Sequence, residues 1–235
     1  MTPQVALVTG ATEGIGRATA FALGRAGYRV GVCARTPARV EALVRDLKAE
    51  GIVAAGAPCD VGDAAAVSGM VAIITRALGP VEALVNNAGV ANLKPFDQLT
   101  LDEWDAMTAT NIRSLFLVTR EVLPGMRERK SGTIINLSSL AGKNGFAGGS
   151  AYCATKHAVM GFSRALMLEV RKDNVRVVAL CPGSVDTAMI HSQDVFEVHA
   201  DRILQPDDIA ATILHTLRLP ARALVSELDI RPTVP

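Results

Sequence analysis

The sequence predicts an α/β protein built on one doubly wound parallel sheet of about seven strands, with helices on both faces. Two observations carry that expectation. Short runs rich in β-branched residues alternate with longer segments of helical period along the whole chain. A glycine-rich turn, Thr9-Gly-Ala-Thr-Glu-Gly-Ile-Gly16, stands directly between the first such run and the first helical segment. Alternation of this kind makes parallel strands joined by right-handed crossovers. No Pro/Ser-rich linker, composition shift or internal repeat divides the chain, so residues 1–235 are expected to form a single domain.

Taken in order, strands are expected at 5–9, 29–34, 52–57, 83–86, 133–138, 175–181 and 223–230. Helices are expected near 15–27, 37–50, 63–78, 100–129, 150–171 and 206–218. Boundary chemistry supports several of these. Gly27 and Gly51 follow helical segments, where a left-handed residue closes the last turn. Asp63 is placed to cap the third helix, and Thr100-Leu-Asp-Glu103 has the form of a capping box. Pro206 with Asp207 and Asp208 suits a first helical turn. Pro124, inside the segment 100–129, predicts a kink or break there.

Composition narrows the function. The chain has 235 residues, 49% hydrophobic and 20% charged, which is enough to bury one substantial core. A net charge of +1 without basic runs gives no electrostatic reason to expect nucleic acid or an anionic membrane as partner. Cys33, Cys59, Cys153 and Cys181 are scattered and form no close metal-type pairs, so reduced thiols and no metal site are expected. The N-terminal residues run almost at once into Val5-Ala-Leu-Val-Thr, without a basic region followed by a long apolar one. No apolar run approaches the roughly 18 residues of a membrane span. The expectation is a soluble, cytoplasmic protein.

Two segments carry the chemistry. Gly10 permits the tight turn after the first strand, Gly14 a close approach of backbone to a pyrophosphate, and Gly16 close packing of the helix on the sheet. The helix N-terminus then offers free N–H groups and the positive end of its dipole, so a dinucleotide site is expected. The second segment runs from Ser139 to Lys156. Tyr152 and Lys156 are four apart in a helical stretch, which puts them on one face. An ammonium beside a phenol favours the phenolate, so the pair is expected to move a proton to or from a substrate oxygen near neutrality. Such a pair alone is common on solvated helix faces; the glycine loop upstream gives this one its weight. Ser139 ends the apolar run Thr133-Ile-Ile-Asn-Leu-Ser, where its hydroxyl can help hold that oxygen.

Together these residues resemble the short-chain dehydrogenase/reductase family along nearly the whole chain. Thr9-Gly-x-x-x-Gly-Ile-Gly16, Asn86-Asn-Ala-Gly89, Asn111, Ser139, Tyr152-x-x-x-Lys156 and Pro182-Gly183 match its pattern in order and spacing. The resemblance implies a Rossmann-type sheet, a nicotinamide cofactor and alcohol–carbonyl interconversion. It implies catalytic roles for Asn111, Ser139, Tyr152 and Lys156, with Asn111 interrupting a helix to hold a relay water. It selects Ser139 over Ser138, because the family's serine stands thirteen residues before the tyrosine. Cofactor contacts are implied for Thr12, Glu13 and Ile15 in the glycine loop and for Asp60 and Val61 after the third strand. Asn87, Ala88 and Gly89 are implied beside the adenosine, and Pro182, Gly183 and Thr187 beside the nicotinamide. Tyr152 and Lys156 contact the cofactor as well.

The second strand ends Ala34-Arg35, with no carboxylate at the position that holds a ribose 2′-hydroxyl in NAD enzymes. Arg35 can instead pair with a 2′-phosphate, so NADP(H) is the expected cofactor, with NAD(H) the alternative. Glu13 runs against this, because NADP-preferring relatives often carry a basic residue there. Substrate choice is expected from about 184–205, which holds Met189, His191, Phe196 and His199; the two histidines lack a matched ligand set for a metal. The ending after Ala223 is more similar to NADP-dependent 3-hydroxy-acid dehydrogenases and carbonyl reductases than to 3-oxoacyl-carrier-protein reductases. The expected substrate is a 3-oxo or 3-hydroxy acid or a small ketone. A non-catalytic NADP(H)-binding regulatory module is the competing class. The apolar helices 100–129 and 150–171 imply, by the resemblance, a homodimer or homotetramer.

Overall fold

The computed structural model describes residues 4–193 and 202–233. Its seven strands are β1 (Val5–Thr9), β2 (Arg29–Ala34), β3 (Ala54–Pro58), β4 (Val81–Asn86), β5 (Gly132–Leu137), β6 (Val175–Pro182) and β7 (Glu227–Ile230). All pair in parallel, in the order β3-β2-β1-β4-β5-β6-β7. Helices α1 (Gly14–Arg25), α2 (Pro37–Ala49) and α8 (Pro206–Arg218) cover one face. Helices α3 (Ala64–Leu78), α5 (Ser114–Arg129) and α6 (Ser150–Val170) cover the other. Two shorter helices, α4 (Leu101–Thr108) and α7 (Ala188–His191), flank the carboxyl edge.

A sheet covered on both faces needs apolar residues at every position rather than at alternate ones. The strands read that way. Ala6 and Val8 of β1 pack with the α1/α2/α8 layer, while Val5 and Leu7 pack with the α3/α5/α6 layer. Ile135 and Val178 fall in the first core, and Ile134 and Val177 in the second. A one-residue slip in any strand would exchange its two faces.

The expected caps form. Asp63 accepts from the Ala66 N–H at 2.8 Å. Thr100 and Glu103 close their box, with Glu103 accepting from the Thr100 N–H at 2.9 Å. Gly27 and Gly51 take φ of 92° and 77°. Several boundaries differ, among them β4, which starts at Val81 rather than 83. The strand expected from Ile52 starts at Ala54, because the Ile52 N–H still closes the end of α2 on the Leu47 carbonyl at 3.1 Å. The segment 100–129 is interrupted at Ala109–Arg113, a π-helical turn, while α5 runs unbroken through Pro124. The last strand shrinks to Glu227–Ile230. Among the described residues, no helix is long and apolar enough to cross a membrane.

β1 is flanked by β2 and β4, so the chain reverses direction across the sheet between β1 and β4. In open α/β sheets the crevice at the carboxyl ends of such strands is where ligands bind.

Candidate active site

A cavity of about 520 Å³ opens at those carboxyl ends. It is lined by the turn after β1 (Gly10–Ile15), the ends of β2 and β3, the segment after β4, Ser139, Tyr152, Lys156 and the segment after β6. Most of these segments directly follow a strand, and α6 carries Tyr152 and Lys156 back to the same edge.

The glycine loop is built as the sequence implies. Gly10 and Gly14 take φ of 61° and 51°, open to glycine at no strain. A Cβ on Gly10 would lie 2.8 Å from Ala88 Cα, and one on Gly16 would lie 2.3 Å from the Gly10 carbonyl oxygen. Gly16 is therefore buried behind the loop and does not line the cavity; its smallness lets α1 begin against the β1 and β4 ends. Asn87 locks this crossing by donating to the Thr9 and Gly10 carbonyls at 2.9 and 3.0 Å. Thr9 accepts from the Asn87 and Ala88 N–H groups, both at 3.1 Å. At the start of α1, Glu13 makes no side-chain cap, so the helix's first N–H groups face the cavity uncapped.

At the far end, Ala34, Arg35, Asp60 and Val61 all reach the cavity wall. Arg35 is exposed and makes no ion pair among the described residues. Asp60 accepts from the Gly62 N–H at 2.9 Å, shaping the turn before α3. Glu13 pairs with Arg39 at 3.1 Å. Arg39, one turn into α2, also lines the cavity and was not singled out by the sequence.

At the other end, Tyr152 and Lys156 share one face of α6, with the Lys156 ammonium 5.7 Å from the phenol ring centre. Lys156 is only 6% exposed and donates to the Leu137 carbonyl at the end of β5, 2.8 Å away. Burial pulls its pKa down to about 8. The same desolvation pushes the Tyr152 phenol up to about 12, against a lowering contact from the Ser139 hydroxyl. The lowering expected from Lys156 is not among the causes acting on the phenol; burial dominates and drives both groups toward their neutral forms. Tyr152 therefore stands as a protonated donor.

The two serines separate cleanly. Ser138 is buried and donates to the Lys156 carbonyl at 3.1 Å, tying β5 to α6. Ser139 stays partly open to the cavity, its oxygen accepting from the Ala141 N–H at 3.1 Å. Pro182 and Gly183 line the cavity beside Ser139, whose hydroxyl donates to the Pro182 carbonyl at 3.5 Å, and the Thr187 methyl would sit 3.0 Å from a Cβ on Gly14.

Asn111 lies in the π turn, 4% exposed, and does not line the cavity. Its amide bonds the Val90 N–H and carbonyl, both at 2.9 Å, and donates to Thr155 Oγ1 at 3.0 Å. Thr155 in turn donates to the Tyr152 carbonyl at 2.8 Å. Thr155 is thus a member of the site that sequence reading missed. Its signal was its position on the Tyr152 helix, three residues on. Gln193 was missed as well. Its side chain accepts from the Leu93 N–H at 2.9 Å and donates to the Ala91 carbonyl at 3.3 Å, fastening the segment after α7 to the one after β4. Met189 lines the cavity, while His191 Nε2 is engaged with Asp186 at 2.6 Å. His157 bonds the Cys153 carbonyl of its own helix at 2.8 Å and does not reach the cavity. Phe196 and His199 lie outside the described residues.

A model of the short chain dehydrogenase family matches residues 4–197. The chain belongs to the short-chain dehydrogenase family. Its oxidoreductase relatives agree in sequence and in shape. An acetoacetyl-CoA reductase of Shinella zoogloeoides is 36% identical over 219 residues, spanning 90% of this chain and 89% of its own. A tryptophan variant of actinorhodin polyketide ketoreductase, solved with NADPH, is 35% identical with a TM-score of 0.91, covering 98% of this chain and 96% of its own. A metagenomic short-chain oxidoreductase in complex with NADP is also 35% identical, with a TM-score of 0.85 and coverage of 99% and 98%. This short-chain dehydrogenase thus shares its seven-stranded sheet with proteins solved in nicotinamide complexes.

Proposed function

We propose that this short-chain dehydrogenase is an NADP(H)-dependent reductase that interconverts a carbonyl and a secondary alcohol, with Tyr152 as general acid. The observation that carries the reading is the placement of the Tyr152 phenol in the cavity wall. The phenol stands beside Ser139 and the buried Lys156 ammonium, in the same cavity as an uncapped helix N-terminus and a glycine loop.

The residues fit a dinucleotide. The helix start offers N–H donors to phosphates, Gly10 and Gly14 leave the backbone bare, and Arg35 meets a 2′-phosphate without a competing carboxylate of its own. When bound, the nicotinamide cofactor supplies the hydride. Ser139 holds the carbonyl oxygen beside Tyr152, which gives it a proton as the carbon is reduced. Lys156, still mainly ammonium at pH 7 with its pKa of about 8, stabilises the phenolate left behind. Asn111 fixes the Val90 backbone and, through Thr155, the Tyr152 turn, so its proposed role is in positioning.

On the substrate side the described lining is uncharged apart from Lys156: Val90, Leu93, Leu140, Phe146, Met189 and Gln193 dominate. The ketoreductase and acetoacetyl-CoA reductase relatives support a 3-oxoacyl thioester or a comparable neutral 3-oxo compound. Exposed Phe116 and Leu168, on α5 and α6, support pairing of two copies through those helices. The test is oxidation of NADPH and NADH over a panel of 3-oxo thioesters, 3-oxo esters, free 3-oxo acids, diketones and aromatic aldehydes. Turnover of neutral 3-oxo compounds, faster with NADPH, is the expected result. Tight NADPH binding with silence across the panel would instead favour a non-catalytic binding module.

A further inference from the structure

The adenosine end of the cavity presents an apparent contradiction. Glu13 sits in the glycine loop, where a carboxylate repels a 2′-phosphate, yet the residue that follows β2 is Arg35 and not a carboxylate. The ion pair between Glu13 and Arg39 addresses it. Both side chains line the cavity, both are 64% exposed, and Glu13 Oε2 lies 3.1 Å from Arg39 Nη1. We infer that Arg39 is a second specificity-determining cation for the 2′-phosphate of NADP(H), and that Glu13 is its exchangeable counter-ion. The inference rests on the NADP(H) reading above.

Three features carry it. First, the start of α2 brings both cations to the cavity: Arg35 stands just ahead of the N-cap Thr36 and Arg39 lies in the first turn of the helix. Second, a guanidinium has five N–H donors, and the contact with Glu13 uses one of them. Third, an ion pair this exposed is weak, so a phosphate displaces the carboxylate readily. A phosphate monoester carries about −1.5 to −2 charge at neutrality and pairs with arginine bidentately, which a single-point contact to Glu13 does not match. Without Arg39, the carboxylates of Glu13 and Asp60 outnumber Arg35 at this end of the cavity and leave one net negative charge. With it, the formal charges balance, so a 2′-phosphate meets no net repulsion.

The test is calorimetric titration of the full chain with NADPH, NADH, 2′,5′-ADP and 5′-AMP, without turnover, on wild type, Arg39→Met, Glu13→Gln and Arg35→Met. Arg39→Met is expected to weaken NADPH and 2′,5′-ADP about tenfold while leaving NADH and 5′-AMP within about twofold. Glu13→Gln is expected to tighten NADPH and 2′,5′-ADP about two- to fivefold, because it removes the competitor and its charge. Both gains should shrink as salt is raised. The inference is overturned if Arg39→Met leaves 2′,5′-ADP affinity unchanged while Arg35→Met lowers it. It is also overturned if Glu13→Gln weakens NADPH, since Glu13 would then be orienting Arg39 rather than competing for it. A wild type that binds 5′-AMP as tightly as 2′,5′-ADP removes the NADP(H) reading itself, and this inference with it.

Discussion

Replacing Thr155 with valine isolates the link between the π turn and the proposed acid. Valine keeps the shape of threonine but can neither accept from Asn111 nor donate to the Tyr152 carbonyl. Asn111 is 4% exposed, so one of its N–H groups would lose its partner without access to water. Such an orphan costs about 1–3 kcal/mol, and the lost hydroxyl bond about 0.5–1.5 kcal/mol. The Tyr152 carbonyl retains its place in α6, so the lower part of the second range applies. A loss of about 2–3 kcal/mol follows, or a fall in Tm of roughly 5–10 °C for a chain of this size. Thr155→Ser keeps both bonds and loses one methyl, about 1 kcal/mol. The assay is urea unfolding followed by far-UV dichroism at one fixed protein concentration, beside kcat and KM for a carbonyl substrate. Valine should lower kcat about tenfold or more and serine should restore most of it. If Thr155→Val unfolds within about 0.5 kcal/mol of Thr155→Ser and turns over equally well, the linkage argument is wrong.

Other consequences are as direct. Gly16→Ala would place a Cβ 2.3 Å from the Gly10 carbonyl oxygen and 2.5 Å from Asn87 Nδ2, so a loss of about 1–3 kcal/mol or more is expected. Dinucleotide affinity should fall at least about tenfold with it, and an alanine variant that binds NADPH normally would refute the close crossing. The pH dependence should differ by direction. With the phenol at about 12 and Lys156 at about 8, carbonyl reduction should hold level below pH 7 and decline as the ammonium is lost near 8. Alcohol oxidation, which needs the phenolate, should rise with pH through the same range. Matching profiles in the two directions would contradict the assignment. Gln193→Ala should raise KM for the carbonyl compound several-fold and leave NADPH affinity alone, because its bonds hold the Ala91–Leu93 backbone and its own neighbour Ser192. Equal losses in both would place Gln193 elsewhere in the cycle.

The sheet was legible because its strands are apolar on both faces and each is followed by turn chemistry. Val5-Ala-Leu-Val-Thr before Gly10 is the plainest case. The caps at Asp63 and Thr100 were legible because capping is local: three residues decide it. What escaped was long-range. The resemblance implied an interruption at Asn111, and the helix is interrupted there; its form, a π turn at Ala109–Arg113, goes with Asn111 reaching Val90 and Thr155, neither of them near it in sequence. Pro124 was expected to interrupt the long helix, but the chain tolerates a single missing N–H bond within a well-packed helix, and the interruption falls at Asn111. Arg39 looked like one charge among many on α2 until the fold set it against Glu13. The balance of the Tyr152–Lys156 pair was beyond sequence reading as well. Spacing puts the groups side by side, but only the packed β5 and β6 ends show how dry they are.

The measurement that bears most directly on the proposed chemistry is single-turnover reduction of a 3-oxo thioester by NADPH-loaded Tyr152→Phe, followed by nicotinamide absorbance, with NADPH affinity titrated on the same preparation. The phenylalanine keeps the ring beside Lys156 and removes only the proton donor. Turnover is expected to fall by about 10²–10⁴-fold with NADPH affinity unchanged within about twofold. Near-wild-type turnover would remove Tyr152 from the mechanism and the proposed general acid with it.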